Sequence, residues 1–229
     1  MLLERLKTQN FRNLEGEAAF GVGLNILCGD NGQGKTNWLE AIAILASTRS
    51  FRTSRLQDAV KFDAEMAMIR GDVRESPEIV RELRVSIARN AKTLAVNDKK
   101  ESLHGYLGQL HAVVFNSDEL EIVRGLPDAR RRFLDAGIIS LHPPFVRVFT
   151  DYNRIIRQKT ALLGQAQDNG APLEKVTESL VPWNEQLATL ATRIHKARVR
   201  FVERINEVFE KRLFGPEEIT IRYLSLIHI

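Results

Sequence analysis

The sequence predicts an α/β protein in which a phosphate-binding loop and an antiparallel β-meander are joined by an added α-helical lobe. Three observations predict this fold class. The short apolar run Leu24–Cys28 leads into a glycine-rich loop, and good helix formers follow the loop. Segments between residues 66 and 96 alternate apolar and polar side chains as strands do. From Phe145 the spacing of the apolar residues becomes helical.

The composition is typical of a globular protein. Of the 229 residues, 44% are hydrophobic, which is enough for one substantial core, or for one core with a smaller lobe. Lys and Arg number 33 against 29 Asp and Glu, and the resulting charge of +4 permits polyanion binding without requiring it. The single cysteine, Cys28, excludes an internal disulfide, and we expect it to be a buried small hydrophobe.

Nothing in the sequence predicts membrane association. It contains no run of about 18 apolar residues, and its charged start, MLLERLKTQN, is unlike a signal peptide. We therefore expect a cytoplasmic protein that does not bind membranes. The 5 histidines show no metal-ligand spacing, so we expect no zinc site.

The glycine-rich loop matches the phosphate-loop pattern G-x-x-x-x-G-K-[ST] at Gly29, Gly34, Lys35 and Thr36. Glycines let backbone N–H groups turn toward a phosphate, and the helix that follows points its positive end at it. We expect Lys35 to reach the β- and γ-phosphates of ATP and the Thr36 hydroxyl to bind Mg²⁺. The alternative is a chance glycine-rich turn, which the position between a strand and a helix disfavours. The residues predicted to bind the nucleotide here are Gly29, Asp30, Asn31, Gly32, Gln33, Gly34, Lys35, Thr36 and Asn37.

Short strands are predicted on both sides of the loop. The first is Leu2–Gln9, followed by a bend at Phe11–Asn13. The helix after Thr36 has its apolar face at positions 38, 39, 42 and 45, and a basic turn at Ser47–Arg55 follows it. Later strands are predicted at Met66–Val73, Glu82–Ala88, Thr93–Val96 and His111–Phe115, with a turn at Asn97–Asp98. This meander disfavours a small nucleotide kinase, which would repeat βαβ units.

Helices dominate the rest of the chain. One is predicted from Asp128 to Ala136 or beyond, and Pro143 and Pro144 interrupt the chain after it. Two apolar stripes separated by Asn169–Pro172 then predict a helical hairpin, because the heptads are not sustained as in a long coiled coil. The predicted domains are the first part of a nucleotide lobe, the helical lobe and the start of a returning strand, at residues 1–142, 143–215 and 216–229.

The C-terminal segment has an unusual sequence. Glu218–Tyr223 alternates as a strand does, but it has no room to be completed, and LSLIHI contains no turn or cap. We expect a truncated chain whose last six residues need not be native. A true C-terminal edge strand is the alternative.

Several segments, in order, resemble the RecF family of bacterial recombination mediators. The matching segments are Phe11–Asn13, GDNGQGKTNWLEAI (29–42), RSFR (49–52), VVF followed by DEL (113–120), GLPDARRRFLD (125–135) and Trp183–Leu187. They extend over nearly the whole chain. Many ATPases share the loop, whereas RSFR and GLPDARRRFLD at these spacings are more particular. The resemblance implies an ATPase head of the ABC transporter and structural-maintenance-of-chromosomes (SMC) type, with Arg12 and Asn13 near the nucleotide.

The resemblance also implies a function. Two subunits would enclose two ATP molecules, close on single- and double-stranded DNA at gaps and junctions, and open after slow hydrolysis. The implied partners are RecR and RecO, and the implied role is to help load RecA in recombinational repair. The alternative is another SMC-like or overcoming-lysogenisation-type ABC head, which a long coiled coil or a nuclease domain beyond residue 223 would favour.

Two motifs that such an enzyme needs are absent from this sequence. It has neither an LSxGQ-type signature nor an apolar strand that ends in paired acidic residues, the Walker B motif. We therefore assign no catalytic residue and expect this chain to bind ATP poorly or not to hydrolyse it. The acidic pairs Asp118–Glu119 and Glu217–Glu218 are predicted to be surface residues.

Basic residues are concentrated in two regions. Arg130–Arg132 point three ways around a helix, so we favour a structural role over DNA contact. On the later helix we favour solvation, with phosphate contact as the alternative. The cations of that helix are Lys196, Arg198, Arg200, Arg204, Lys211 and Arg212.

Overall fold

The computed structural model describes residues 1–170, 172–211 and 218–224. The chain forms two compact units, Met1–Glu119 and Leu120–Ile229. The predicted domain limits at 142 and 215 stay predictions.

A six-stranded antiparallel sheet organises the first unit, with the strands in the order β2-β1-β3-β4-β5-β6. The strands are β1 Leu2–Phe11, β2 Leu14–Ala19, β3 Met66–Ser76, β4 Ile79–Ala88, β5 Lys92–Val96 and β6 Lys99–Glu101. Asn97 and Asp98, with φ of 50° and 63°, form the tight turn between β5 and β6. The predicted meander is therefore present.

Helix α1, Lys35–Ser47, packs against one face of this sheet. Its buried face contains Ile44 and Leu45, both inaccessible to solvent, whereas Leu39, predicted to lie on the apolar face, is 53% exposed. A short helix, α2 (Leu103–Tyr106), completes this core, because the buried Tyr106 hydroxyl donates to the Leu45 carbonyl at 2.9 Å. The end of β1, at Phe11, and helix α1 therefore contribute to the same hydrophobic core.

Two predicted strands are wrong. Residues 24–28 and 111–115 form no strand, and neither pairs with the sheet. Leu24 is 86% exposed and Val113 is 98% exposed. An apolar run becomes a buried strand only where neighbouring strands bond its backbone and cover its side chains, and none of the six strands does so here. Cys28, predicted to be buried, is exposed for the same reason.

The second unit is helical. Its helices are α3 Glu121–Arg124, α4 Pro127–Leu141, α5 Phe145–Asp168 and α6 Leu173–Phe209. Helix α4 starts with proline at its first position, where the missing N–H costs nothing. The two predicted stripes form α5 and α6, whose core includes Phe149 and Ile194. Asp135 on α4 accepts two hydrogen bonds from Arg198 on α6, at 2.8 and 2.9 Å.

The predicted returning strand, Glu218–Tyr223, is not formed in the described residues 218–224, whereas 216, 217 and 225–229 lie outside the described residues. The Asn206 side chain on α6 instead donates to the Ile221 carbonyl and accepts from the Ile221 amide, both at 2.9 Å. A strand needs a neighbouring strand, and this segment has a helix side chain as its partner.

Among the described residues, no helix is both long enough and apolar enough to cross a membrane.

Candidate nucleotide-binding site

The glycine-rich loop precedes α1 directly, as the sequence predicts. Gly29, Gly32 and Gly34 have φ of 147°, 86° and 91°, a backbone region that only glycine adopts readily. Gly34 is also tightly enclosed, because a Cβ there would lie 2.7 Å from Leu14 Cδ2 and 2.8 Å from Asn13 Oδ1. The loop conformation therefore depends on these glycines.

Lys35 lies at the centre of the loop. Its Nζ donates to the carbonyl oxygens of Gly29 and Asp30, at 2.5 and 2.7 Å, so that the loop curves around the ammonium group. None of the backbone amides of residues 30–36 donates to an acceptor within the described part of the chain. Free amides at a helix N-terminus, next to a lysine, form a binding site for an anion such as a phosphate.

The remaining predicted residues of the loop have accessible side chains. Thr36 is exposed in the first turn of α1, and Asp30, Asn31 and Gln33 are exposed in the loop. Within the described residues, no group of three or more His, Cys, Asp or Glu side chains could hold a metal ion. The exposed Thr36 hydroxyl could supply one oxygen ligand to a Mg²⁺ ion.

The bend between β1 and β2 reaches the loop through Asn13. Asn13 Nδ2 donates to the Gly32 carbonyl at 3.2 Å, and Asn13 Oδ1 accepts from Asn37 Nδ2 at 2.6 Å. The structure thus brings together three predicted site residues, Asn13, Gly32 and Asn37. The Asn13 side chain contacts the loop backbone.

A buried carboxylate, Glu40 on α1, lies behind the loop and has no exposed surface. Arg12 donates to both of its oxygens, Nε to Oε2 at 3.1 Å and Nη2 to Oε1 at 2.8 Å. Ser50 Oγ donates to Oε1 at 2.6 Å, and Arg52 Nη1 lies 3.4 Å from Oε2. Arg12 also donates to the Asp58 carbonyl at 2.9 Å. The carboxylate therefore joins three segments that are distant in sequence.

The ionisation of Glu40 follows from these contacts. Burial alone would raise its pKa, but the hydrogen bonds from Arg12 and Ser50, and the charges of Arg12 and Arg52, lower the pKa below its ordinary value of 4.5. Glu40 is consequently an anion at neutral pH. Glu40 is not among the site residues predicted from the sequence; its position among apolar residues of α1 was the available signal.

Comparison with known proteins places the chain in a family. The AAA ATPase domain family matches residues 1–126, more than half of the chain. The chain belongs to the AAA ATPase domain family. All the predicted nucleotide-binding residues, from Arg12 to Asn37, lie within the matched part of this AAA ATPase domain.

The similarity to individual relatives extends beyond residue 126 and covers both units. The chain is 34% identical to the DNA replication and repair protein RecF of Citrifermentans bemidjiense, over 97% of its own length and 60% of the relative. It is 36% identical to RecF of Pelotomaculum thermopropionicum, over 100% of its own length and 63% of the relative. The chain thus spans about 60% of the length of these curated relatives.

A solved structure supports the same relationship. The recombination mediator protein RecF-ATPrS of the RecFOR pathway superposes with a TM-score of 0.84 at 31% identity, over 93% of this chain and 58% of that one. RecF-ATP of the same pathway gives a TM-score of 0.82, also at 31% identity, over 93% of this chain and 57% of that one. The predicted fold class, an ABC/SMC-type ATPase head with a meander and a helical lobe, is confirmed.

Proposed function

We propose that the chain is a RecF-type ATPase head that binds ATP with Mg²⁺ and, in the whole protein, couples ATP to DNA binding in recombinational repair. The observation that carries this proposal is the loop, where free backbone amides and Lys35 lie at the start of α1. Support comes from the relatives, which are DNA replication and repair proteins RecF, and from the similar solved structure of RecF-ATP.

The same relatives support a proposed dimer, its partner proteins and its site of action on DNA. ATP would join two copies of the head, because a nucleotide that binds the closed dimer better shifts the population toward it. RecR and RecO are the proposed partners, in keeping with the RecFOR pathway of the structural relatives. Action at gaps and single-strand/double-strand junctions in the cytoplasm, to help load RecA, completes the proposal.

Binding of a fluorescent ATP analogue to the purified chain tests the site. Lys35→Ala is expected to abolish binding, because the phosphates lose the cation at the centre of the loop. Lys61→Ala, at an exposed position in the same unit, is the matched control and should bind as the wild type does. Equal binding by all three proteins would contradict the proposed site.

Helix α6 provides the proposed DNA surface. Arg193, Lys196, Arg200 and Arg204 are exposed, lie on one helical face and line an open groove of about 460 Å³. Arg198, by contrast, is half-buried in its pair with Asp135, so it is assigned a structural role. Arg212 lies outside the described residues.

The salt dependence of DNA binding tests this surface. The slope of log K against log[salt] is negative, and each lost phosphate contact reduces its magnitude by about 0.9. We expect Arg200→Glu with Arg204→Glu to weaken DNA binding and to lower the magnitude of that slope, and Arg157→Glu, exposed on α5, to leave both unchanged. In the whole protein, DNA affinity that is the same with and without bound ATP would contradict the proposed coupling.

A further inference from the structure

We propose that Glu40 is a positioning residue of the nucleotide site: its buried carboxylate fixes Arg12 and Arg52, and through Arg52 and two asparagines it sets the shape of the phosphate loop. The inference rests on the proposed ATP binding. It adds a residue that lies outside the loop motif and touches no nucleotide-binding backbone atom itself.

The buried charge needs its partners. A carboxylate without solvent exposure is stable as an anion only when hydrogen bonds and opposite charges replace water. Arg12 supplies a two-point contact, and Ser50 and Arg52 approach the same oxygens from the turn that follows α1. Removing the charge would take the carboxylate partner from two guanidinium groups at once, leaving Arg12 with the Asp58 carbonyl and Arg52 with Asn37 Oδ1.

A directional chain of hydrogen bonds leads from Arg52 to the loop. Arg52 Nη1 donates to Asn37 Oδ1 at 2.5 Å, Asn37 Nδ2 donates to Asn13 Oδ1 at 2.6 Å, and Asn13 Nδ2 donates to the Gly32 carbonyl at 3.2 Å. A guanidinium group can only donate, so it requires the Asn37 oxygen to face it. Asn37 must then present its nitrogen to Asn13, and Asn13 its nitrogen to the loop.

The chain of hydrogen bonds ends on the Gly32 carbonyl, two residues before Gly34. Asn13 Oδ1 lies where a side chain at Gly34 would collide with it, so the Asn13 amide also fills the space beside the last loop glycine. Arg52 is the weakest point at the other end, because its side chain is 44% exposed and Glu40 and Asn37 are its polar side-chain partners among the described residues. Glu40 therefore holds the end of the chain that solvent would otherwise release.

Amide hydrogen exchange without nucleotide is the first measurement. In Glu40→Gln, which keeps the side-chain shape and loses the charge, we expect exchange to become about tenfold faster at Asn37 and Trp38 and in residues 49–53, with β3 and β4 unchanged. Asn37 and Trp38 carry the first protected amides after the loop, and both donate to the Gly34 carbonyl, at 2.9 and 3.1 Å. Exchange at these two amides reports on the loop, and we call it loop exchange. A tenfold change corresponds to about 1.4 kcal/mol. The affinity for the fluorescent ATP analogue should fall by a similar factor.

Glu4→Gln is the matched control. It breaks the two-point pair in which Arg74 donates to Glu4 at 2.6 and 2.9 Å, in the same unit but on the sheet. It is expected to lower stability while leaving loop exchange and nucleotide affinity at wild-type values. A general loss of stability is thereby separated from a loss of loop shape.

Arg52→Met decides the question if Glu40→Gln does not fold. This half-exposed residue can be replaced without leaving the buried Glu40 carboxylate unpaired, because Arg12 still donates to both of its oxygens. The substitution should accelerate loop exchange and weaken ATP binding. Wild-type exchange in the loop of both variants, or faster exchange with unchanged affinity, would overturn the inference. If the wild type binds no ATP, the proposed function fails, and loop exchange alone decides whether Glu40 shapes the loop.

Discussion

Gly34 meets two independent requirements for a residue without a side chain. Its φ of 91° lies in the left-handed region, and a Cβ would collide with Leu14 and Asn13. The motif therefore specifies glycine for backbone conformation and for packing against the β1–β2 bend. Lys35 and Thr36 follow it directly, so any shift at Gly34 moves both predicted phosphate- and metal-binding groups.

Gly34→Ala is expected to cost stability and to abolish ATP binding, because the loop must open away from Asn13. Gly23→Ala is the matched control, since Gly23 has a φ of 87° and nothing within 4 Å of its Cβ position. The control carries the conformational cost alone, about 1 to 2 kcal/mol. Thermal unfolding and nucleotide titration of both variants check the prediction, which fails if the two variants behave alike.

Glu40 gives the stability a defined pH dependence. Because its pKa in the folded protein is lowered from 4.5, its charge contributes stability above that pH, and the contribution is lost as the pH falls through the lower folded value. We expect the difference in unfolding free energy between the wild type and Glu40→Gln to be constant from pH 6 to 8. It should shrink progressively below about pH 4.5. Denaturant titrations at several pH values measure it, and a difference that grows in acid would contradict the assignment.

At the scale of the elements, the contact between α4 and α6 depends on a missing side chain. A Cβ at Gly137 on α4 would overlap the ring of Phe201 on α6, whereas a Cβ at Gly164 on α5 would meet nothing within 4 Å. Both positions lie inside helices, where alanine is intrinsically better than glycine. Packing against Phe201, rather than helix propensity, therefore decides whether alanine at position 137 raises or lowers the stability.

Gly137→Ala is expected to destabilise the second unit by about 1 to 3 kcal/mol, because the aromatic ring must move. Gly164→Ala should stabilise it by about 0.5 to 1 kcal/mol, through helix propensity. Chemical denaturation followed by circular dichroism compares the two. Stabilisation by both substitutions would show that α4 and α6 do not pack as described.

At the scale of the whole molecule, the chain leaves apolar segments uncovered. Ile26 is 72% exposed and Phe115 is 87% exposed, in the two runs predicted to be buried strands. Exposed apolar patches favour association. Neither segment takes part in the sheet, whose six strands are ordered β2-β1-β3-β4-β5-β6 in the described part of the chain.

Phe115→Lys should raise solubility and leave the melting temperature nearly unchanged, since a surface substitution typically changes stability by less than about 0.5 kcal/mol. Ile69→Lys is the contrasting control, because Ile69 has no exposed surface and a lysine there should prevent folding. Light scattering and thermal unfolding measure the two effects. A large loss of stability in Phe115→Lys would show that the segment is covered after all.

Local signals in the sequence were sufficient for much of the fold and the site. Alternation predicted β3, β4 and β5, the prolines at 143 and 144 separated α4 from α5, and the glycine spacing predicted the loop. These features depend on the conformational preferences of residues close together in sequence, which do not depend on tertiary contacts. The family segments predicted the ATPase head, but the hydrogen bond from Asn13 to the Gly32 carbonyl is seen only in the tertiary structure.

The sequence by itself determined the longer helices α1, α4, α5 and α6, the meander and the glycine-rich loop, because periodicity, proline and glycine act over a few residues. The short helices α2 and α3 were not predicted. The tertiary structure decided that Leu24–Cys28 is exposed, since burial depends on which strands lie beside it. It also decided that Glu40 is a buried anion rather than a solvated one, because its partners Arg12 and Arg52 come from segments on either side of α1. Such contacts form where segments that are distant in sequence meet, and neither periodicity nor residue spacing predicts which segments meet.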